Sequence, residues 1–330
     1  MEDKPSKLQL TSILICSRGR RTDLERLVST LKSLRSTTEF EIVAVEETDT
    51  PSTIEGIKYV SHPIADRGFP FARNMAIRHA SGDILVFLDD DCMIQGDWLT
   101  DLLEVFKNPN VVGAQGGVTV PSTSGPIGWA ESIIGFPGGG IRRIIKSGGK
   151  MEPTAEISTL NAAYRRRVVE SIGGFDERLK WGGEDDFFAK KACKHGPCLF
   201  VPAAVVTHKP RGSLPGIWKW FIRRGRVDIF FTRIDGYEAP QKYSFFTVLR
   251  SSLSVKFLLP LLVLPVFSCA WSLVFVLSFI PLFSVVQLVR HFGIWRKSGA
   301  DLSCLVLIPI VKLTMDLAED WGRFKEIFSA

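Results

Sequence analysis

Between Phe257 and Val289 the chain runs for 33 residues without one charged side chain. A buried core helix of that length is implausible, so the run is expected in a membrane. As one straight helix it would be roughly 50 Å long, against a hydrocarbon layer of about 30 Å. Pro260, Pro265 and Pro281 interrupt it. Two short segments folded back as a tight or re-entrant hairpin fit better, with a tilted single span as the alternative. Arg250 and Lys256 precede the run, and Arg290, Arg296 and Lys297 follow it. The positive-inside tendency then puts both ends on the cytoplasmic side. Residues 1–10 are polar and hold no apolar signal segment, which agrees with a cytosolic start.

Three segments follow from this. Residues 1–215 should form a globular α/β domain, 216–250 a basic, aromatic interface helix and linker, and 251–330 membrane-associated helices ending in an amphipathic one. Hydrophobic residues make up 45% of the 330 and charged residues 23%, which excludes disordered and fibrous classes. A net charge of +6 is too mild to mark a nucleic-acid binder, and no such partner is expected. The six cysteines show no CxxC pair or zinc spacing, so they read as reduced thiols.

Within residues 1–210, strand-like and helix-like runs alternate. Leu10–Cys16, Phe40–Val45, Ile84–Leu88, Val111–Ala114 and Leu199–Val201 read as strands, and Phe71–Ala80 as a helix. Leu24, Leu27, Val28, Leu31 and Leu34 mark another helix after Thr22-Asp23. The alternation predicts a mostly parallel sheet with flanking helices, which binds ligands beyond the carboxyl ends of its strands. Residues 121–156, rich in Gly, Pro and Ser, read as a surface loop or as a lid over the site.

Three adjacent carboxylates, Asp89, Asp90 and Asp91, follow the buried run Ile84–Leu88. Their repulsion is relieved either by a hard divalent cation or by service as helix caps. A second acidic cluster, Glu184-Asp185-Asp186, opens a helical run after Gly182-Gly183. It either complements the helix dipole or supplies a general base. His208 ends an apolar run and is either a packed residue or a ligand.

Taken in order, these stretches resemble the family-2 glycosyltransferases of GT-A fold, in the membrane-anchored form of bacteria and archaea, over roughly residues 8–235. The resemblance rests on Cys16-Ser17-Arg18-Gly-Arg20, Arg67-Gly68 with Ala72-Arg73-Asn74, Gly82-Asp83, and Leu88-Asp89-Asp90-Asp91. It continues through Asn161-Ala-Ala-Tyr-Arg165-Arg166, Gly173-Gly-Phe-Asp176, Gly183-Glu-Asp185 and Val205-Val206-Thr207-His208. It implies that Asp91, with Asp89, holds Mg²⁺ or Mn²⁺, with His208 as a further ligand in some relatives. It implies that Ser17, Arg73, Asp90 and an acidic residue at 46 or 47 contact a nucleotide-sugar donor. Asp185 would take the acceptor proton, with Glu184 orienting it or touching the acceptor. Glu46-Glu47 stands where the family usually has Asp, which leaves the nucleotide base open.

The combined expectation is a metal-dependent inverting glycosyltransferase at the cell membrane, its catalytic domain on the cytoplasmic side. Its acceptor is expected to be lipid-linked, a polyprenyl phosphate or a saccharide built on one, serving cell-surface glycan or glycoprotein assembly. A soluble or protein acceptor is the alternative. A two-metal phosphohydrolase and an inactive membrane scaffold are weaker alternatives. Trp218, Trp220, Arg223, Arg224 and Arg226 make Ile217–Phe231 an interface helix or a solvated basic one. Leu302–Ile310 reads as the start of an interfacial amphipathic helix.

Overall fold

β-Branched and leucine-rich runs bounded by polar turns become strands, and their alternate side chains go to opposite faces. In β1 (Thr11–Arg18), Ile13 and Ile15 pack with Leu24, Leu27, Val28 and Leu31 of α1 (Arg21–Ser33). Leu14 and Cys16 point to the other face, toward the cluster holding Ala72 and Ala76 of α2 (Phe69–His79). Both faces of the sheet are therefore covered. Each fully buried leucine or isoleucine contributes roughly 1.5–3 kcal/mol to that burial. This computed structural model describes residues 10–34, 38–94, 96–231, 233, 253 and 269–329.

Contacts among these residues form two compact units. One comprises the chain to Pro121 together with Pro137–Lys209; the other comprises Ser122–Phe136 and the chain from Pro210 onward. The expected boundary after residue 215 thus lies beside an observed one at 209/210, and the second unit also takes in an internal segment.

The first unit is built on a nine-stranded sheet. After β1 come β2 (Phe40–Glu47), β3 (Lys58–His62), β4 (Ile84–Asp89) and β5 (Cys92–Ile94). They are followed by α3 (Trp98–Leu103) and β6 (Gly113–Thr119). The strand order is β3-β2-β1-β4-β8-β6-β9-β5, with β7 (Glu152–Pro153) beside β9 (Cys198–His208), and β8 spans Asn161–Arg165. The α/β sheet with flanking helices is as the sequence indicates, but it is mixed rather than mostly parallel. β1, β2, β3 and β4 pair in parallel, whereas β8 lies antiparallel between β4 and β6, and β5 lies antiparallel to β9. Short β8 carries no hydrophobic alternation that would have revealed its direction. Asn161 of β8 ties its neighbours together: its amide donates to Gly117 O and Ala204 O, each at 2.9 Å, and its carbonyl accepts from Trp98 Nε1 at 2.9 Å.

Residues 121–156 are not a plain loop. They form α4 (Pro126–Ile134), in the second unit, and α5 (Gly140–Ser147), in the first. α6 (Arg166–Ile172) and α7 (Glu184–Ala192) complete the first unit.

The second unit holds α4, α8 (Leu214–Phe230), α9 (Cys269–Ser298) and α10 (Leu302–Ile327). α8 and α10 cross with their backbones almost touching. A Cβ on Gly225 would sit 1.9 Å from Glu319 O, and one on Gly322 would sit 2.0 Å from Ile222 O. Arg323 pairs with Asp228 at 2.7 Å and Arg226 with Glu326 at 2.8 Å. Two arginines of the expected interface helix, half-exposed in α8, pair with α10: Arg226, and Arg224, which lies 3.4 Å from Glu319. Of the uncharged run, 257–268 lies outside the described residues, as do Arg250 and Lys256. From Cys269 the chain is one helix that passes Pro281 without a break. Within it, Ser278–Ser298 is 21 residues long and apolar enough to cross a bilayer, with 11% of its most apolar window buried.

Candidate active site

Strand register brings the acidic motifs to one rim of the sheet. Across β1 and β2, Ser17 stands opposite Glu46 and Arg18 opposite Glu47; across β1 and β4, Cys16 stands opposite Asp89. The carboxyl ends of three parallel strands are thus level. The antiparallel pairing of β5 with β9 sets Cys92 opposite His208, which carries that histidine to the rim beside Asp91. His208 Nε2 lies 3.0 Å from Asp91 Oδ1 and 3.7 Å from Asp89 Oδ2.

The charges here shape one another. Burial disfavours a charged His208, but the carboxylates of Asp89 and Asp91 overcome it and raise its pKa to about 9. Burial also works against the Asp91 carboxylate, yet His208 and Arg20 hold its pKa below the usual value. Asp90 is fully buried, and burial pushes it up to about 7, with Ser17 and Arg20 pulling the other way. Arg20 reaches back from the turn after β1, pairing with Asp91 and, at 3.0 Å, with Asp90. The sequence reading gave Arg20 no role, although it lies in the quoted turn.

The second acidic cluster opens α7, whose first turn carries Glu184, Asp185 and Asp186 after Gly183. Buried Arg73 of α2 makes an ion pair with buried Glu184. Burial works against the Arg73 charge, while Glu184, Asp89 and Asp185 all stabilise it. One guanidinium therefore senses both the β4 and the α7 carboxylates. Asp185 Oδ1 accepts the Asp186 amide at 2.9 Å. Burial, reinforced by the charge of Glu184, raises Asp185 to about 7, against the pull of Arg73.

Ser17, Asp89, Asp90, Asp91 and His208 thus share one corner, and Arg73 joins Glu184 and Asp185 to it electrostatically. Glu46 and Glu47 are held in separate sets of bonds. Glu46 accepts from Tyr59 OH at 2.5 Å and from Arg21 at 2.8 Å. Glu47 accepts the amides of Ala65 at 3.1 Å and Asp66 at 3.2 Å, and pairs with Arg18 at 3.2 Å. Arg165, quoted for the resemblance, instead clamps backbone, donating to Val111 O at 2.7 Å and Phe106 O at 2.8 Å.

Asp89, Asp91 and His208 each offer a ligand atom, all within 4.8 Å of one another. Two carboxylates closing on one imidazole suit a small divalent cation, for oxygen donors favour Mg²⁺ and Mn²⁺, and imidazole nitrogen is also a common donor to transition metals. The residues fit such an ion.

The mixed sheet with flanking helices is like the GT-A fold that the sequence indicates. Residues 12–173 match the family model of Glycosyl transferase family 2. It is similar to the succinoglycan biosynthesis protein ExoM of Rhizobium meliloti, at 34% identity over 178 residues, covering 52% of this chain and 54% of that protein. It is also similar to the glucosyl-dolichyl phosphate glucuronosyltransferase of Haloferax volcanii, at 26% identity over 129 residues, covering 38% of this chain and 40% of that one. The chain spans about half or less of the length of such curated relatives. Among solved structures, the mannosyltransferase PcManGT from Pyrobaculum calidifontis, in complex with GDP-Man and Mn²⁺, shares its fold. The TM-score is 0.58 at 18% identity, covering 99% of this chain and 91% of that one.

Proposed function

We propose that this chain is an inverting glycosyltransferase that moves a sugar from a nucleotide-sugar donor to a membrane-lipid-linked acceptor, in the assembly of a cell-surface glycan or glycoprotein. The observation that carries the reading is the meeting of two distant acidic stretches, Asp89–Asp91 with His208 and Glu184-Asp185, through Arg73. The family domain and the donor-bound relative of like fold support it.

On this reading the first unit is catalytic. Asp91, Asp89 and His208 would hold Mg²⁺ or Mn²⁺, which would supply positive charge against a diphosphate leaving group. Ser17, Asp90 and Arg73 face the nucleotide, and Glu46 and Glu47 frame its base end. Ionised Asp185 takes the proton from an acceptor hydroxyl while that oxygen attacks the anomeric carbon from the face opposite the donor oxygen. The bond to the donor oxygen breaks, its electron pair leaves with the nucleoside diphosphate, and the anomeric configuration inverts. Glu184 orients Asp185 through Arg73. An acceptor phosphate is already ionised and needs little help from a base.

The second unit is the membrane-associated one. α9 is the segment that enters the bilayer, and Arg290, Arg296 and Lys297 at its end favour the cytoplasmic side. An anchor there keeps the site beside acceptors that already lie in the membrane plane, which supports a lipid-linked acceptor over a soluble one. A donor screen with membrane lipid extract and Mn²⁺, following radiolabelled sugar, tests this. Label should pass into the organic phase. Label found only in water-soluble glycan would overturn the lipid-linked acceptor, and label released as free sugar without any acceptor would indicate hydrolysis.

A further inference from the structure

The polarity of α10 is inverted. Its exposed side chains include Leu302, Val306, Ile310, Leu317, Trp321 and Phe324, spaced three, four or seven residues apart along one side of the helix. Several of its charged residues point inward, Lys325 excepted: Glu319, Arg323 and Glu326 form ion pairs with α8 or with each other, and Asp320 and Glu326 are buried. α9 shares the apolar exposure, although its charged residues Arg290, Arg296 and Lys297 are exposed too. Val285, Val286 and Val289 are exposed, while Gln287 and His291 are buried at 6% and 1% exposure. A soluble bundle hides such apolar faces and wets its charges. Two neighbouring helices that both turn apolar side chains outward suit a surrounding medium that is itself apolar.

We propose that the outer face of α10 lies in a lipid bilayer surface, as an in-plane amphipathic helix continuous with the membrane-inserted α9. The partner is lipid rather than a second copy for two reasons. α9 presents the same apolar exterior over a length that matches the hydrocarbon layer. The stripe ends in Trp321, Phe324 and Phe328 with Lys325 stacked on Trp321, a pairing of aromatics and cations that suits the headgroup level. α10, whose start the sequence already marks as interfacial, packs over α8 and turns its own apolar side outward. The inference rests on the placement of α9 in the membrane proposed above, not on the transfer chemistry.

The test is spin-label accessibility in the full chain, reconstituted in phosphatidylcholine–phosphatidylglycerol vesicles. Labels are placed one at a time through Val306→Cys, Ile310→Cys, Leu317→Cys and Phe324→Cys, with Val286→Cys on α9 as reference and the labelled parent protein subtracted. Collisions with oxygen should rise and collisions with a water-soluble nickel complex should be lost at all four α10 positions. Nickel access at those positions overturns the inference, as does exclusion of both reagents, with or without dipolar broadening from a second copy. Where Val286 still reports lipid, the membrane placement of α9 survives that result; where it reports water, both fall.

Discussion

At the scale of single residues, the proposed mechanism divides the work between Asp91 and Asp185, so their variants should fail differently. Asp91→Ala removes a candidate metal ligand held next to His208 and should cut transfer about 100-fold or more while leaving the fold intact. Isothermal titration with Mn²⁺ should show a matching loss of affinity, and full activity would remove Asp91 from the mechanism. In the proposed mechanism Asp185 takes the acceptor proton only when ionised. With its pKa near 7, transfer to a hydroxyl acceptor should fall about tenfold for each pH unit below 7 and level off above it. In Asp185→Asn that limb should vanish along with most of the rate. A flat profile in the parent enzyme would point to an acceptor already ionised, such as a phosphate. Asn161 is a structural counterpart, since its three bonds lie in a fully buried place. Asn161→Ala orphans the Trp98 N–H and two carbonyls and should cost about 3 kcal/mol, read as an earlier denaturant midpoint. Asn161 entered the sequence reading only within a stretch quoted for the resemblance; its bonds became visible only once β6, β8 and β9 were side by side.

Elements show a similar division. α1, α2, β1, β2 and β4 were legible because their apolar residues repeat at the period of the element that buries them. β3, β5 and β8 were not, because three to five residues give too little pattern to separate strand from loop. α4 and α5 were masked by glycine and proline, which here sit at helix ends: Gly125 and Gly139 precede the helices, and Gly135 and Gly148 follow them. The α8–α10 crossing depends on two glycines that no periodicity singles out. Gly225→Leu or Gly322→Leu would force the helices apart and should destabilise the second unit by about 3 kcal/mol or more. Protease cleavage within α10 of detergent-solubilised protein should then speed up. Gly293→Leu is the control, because a Cβ there meets nothing within 4 Å. Equal protection in all three variants would refute the tight crossing.

Across the whole molecule, the chain pairs a carboxylate corner with an apolar exterior, and each has a global readout. A chelator should abolish transfer, and Mn²⁺ or Mg²⁺ should restore it, with Asp89→Ala raising the metal concentration needed. A reporter fused after Lys297 should stay cytoplasmic, and an extracytoplasmic signal would exclude the hairpin. The sequence by itself determined the α/β class of the fold, the acidic motifs and the apolar run, because composition and period are local properties of a chain. Only the tertiary structure decided which acidic groups meet. Antiparallel β9 returns His208 to Asp91 from more than a hundred residues away, and Arg73 on α2 reaches Glu184 on α7. It also decided which side of α10 faces outward, since that depends on where the paired charges of α8 lie. Register and helix crossing arise from contacts between distant segments, and no local pattern encodes them.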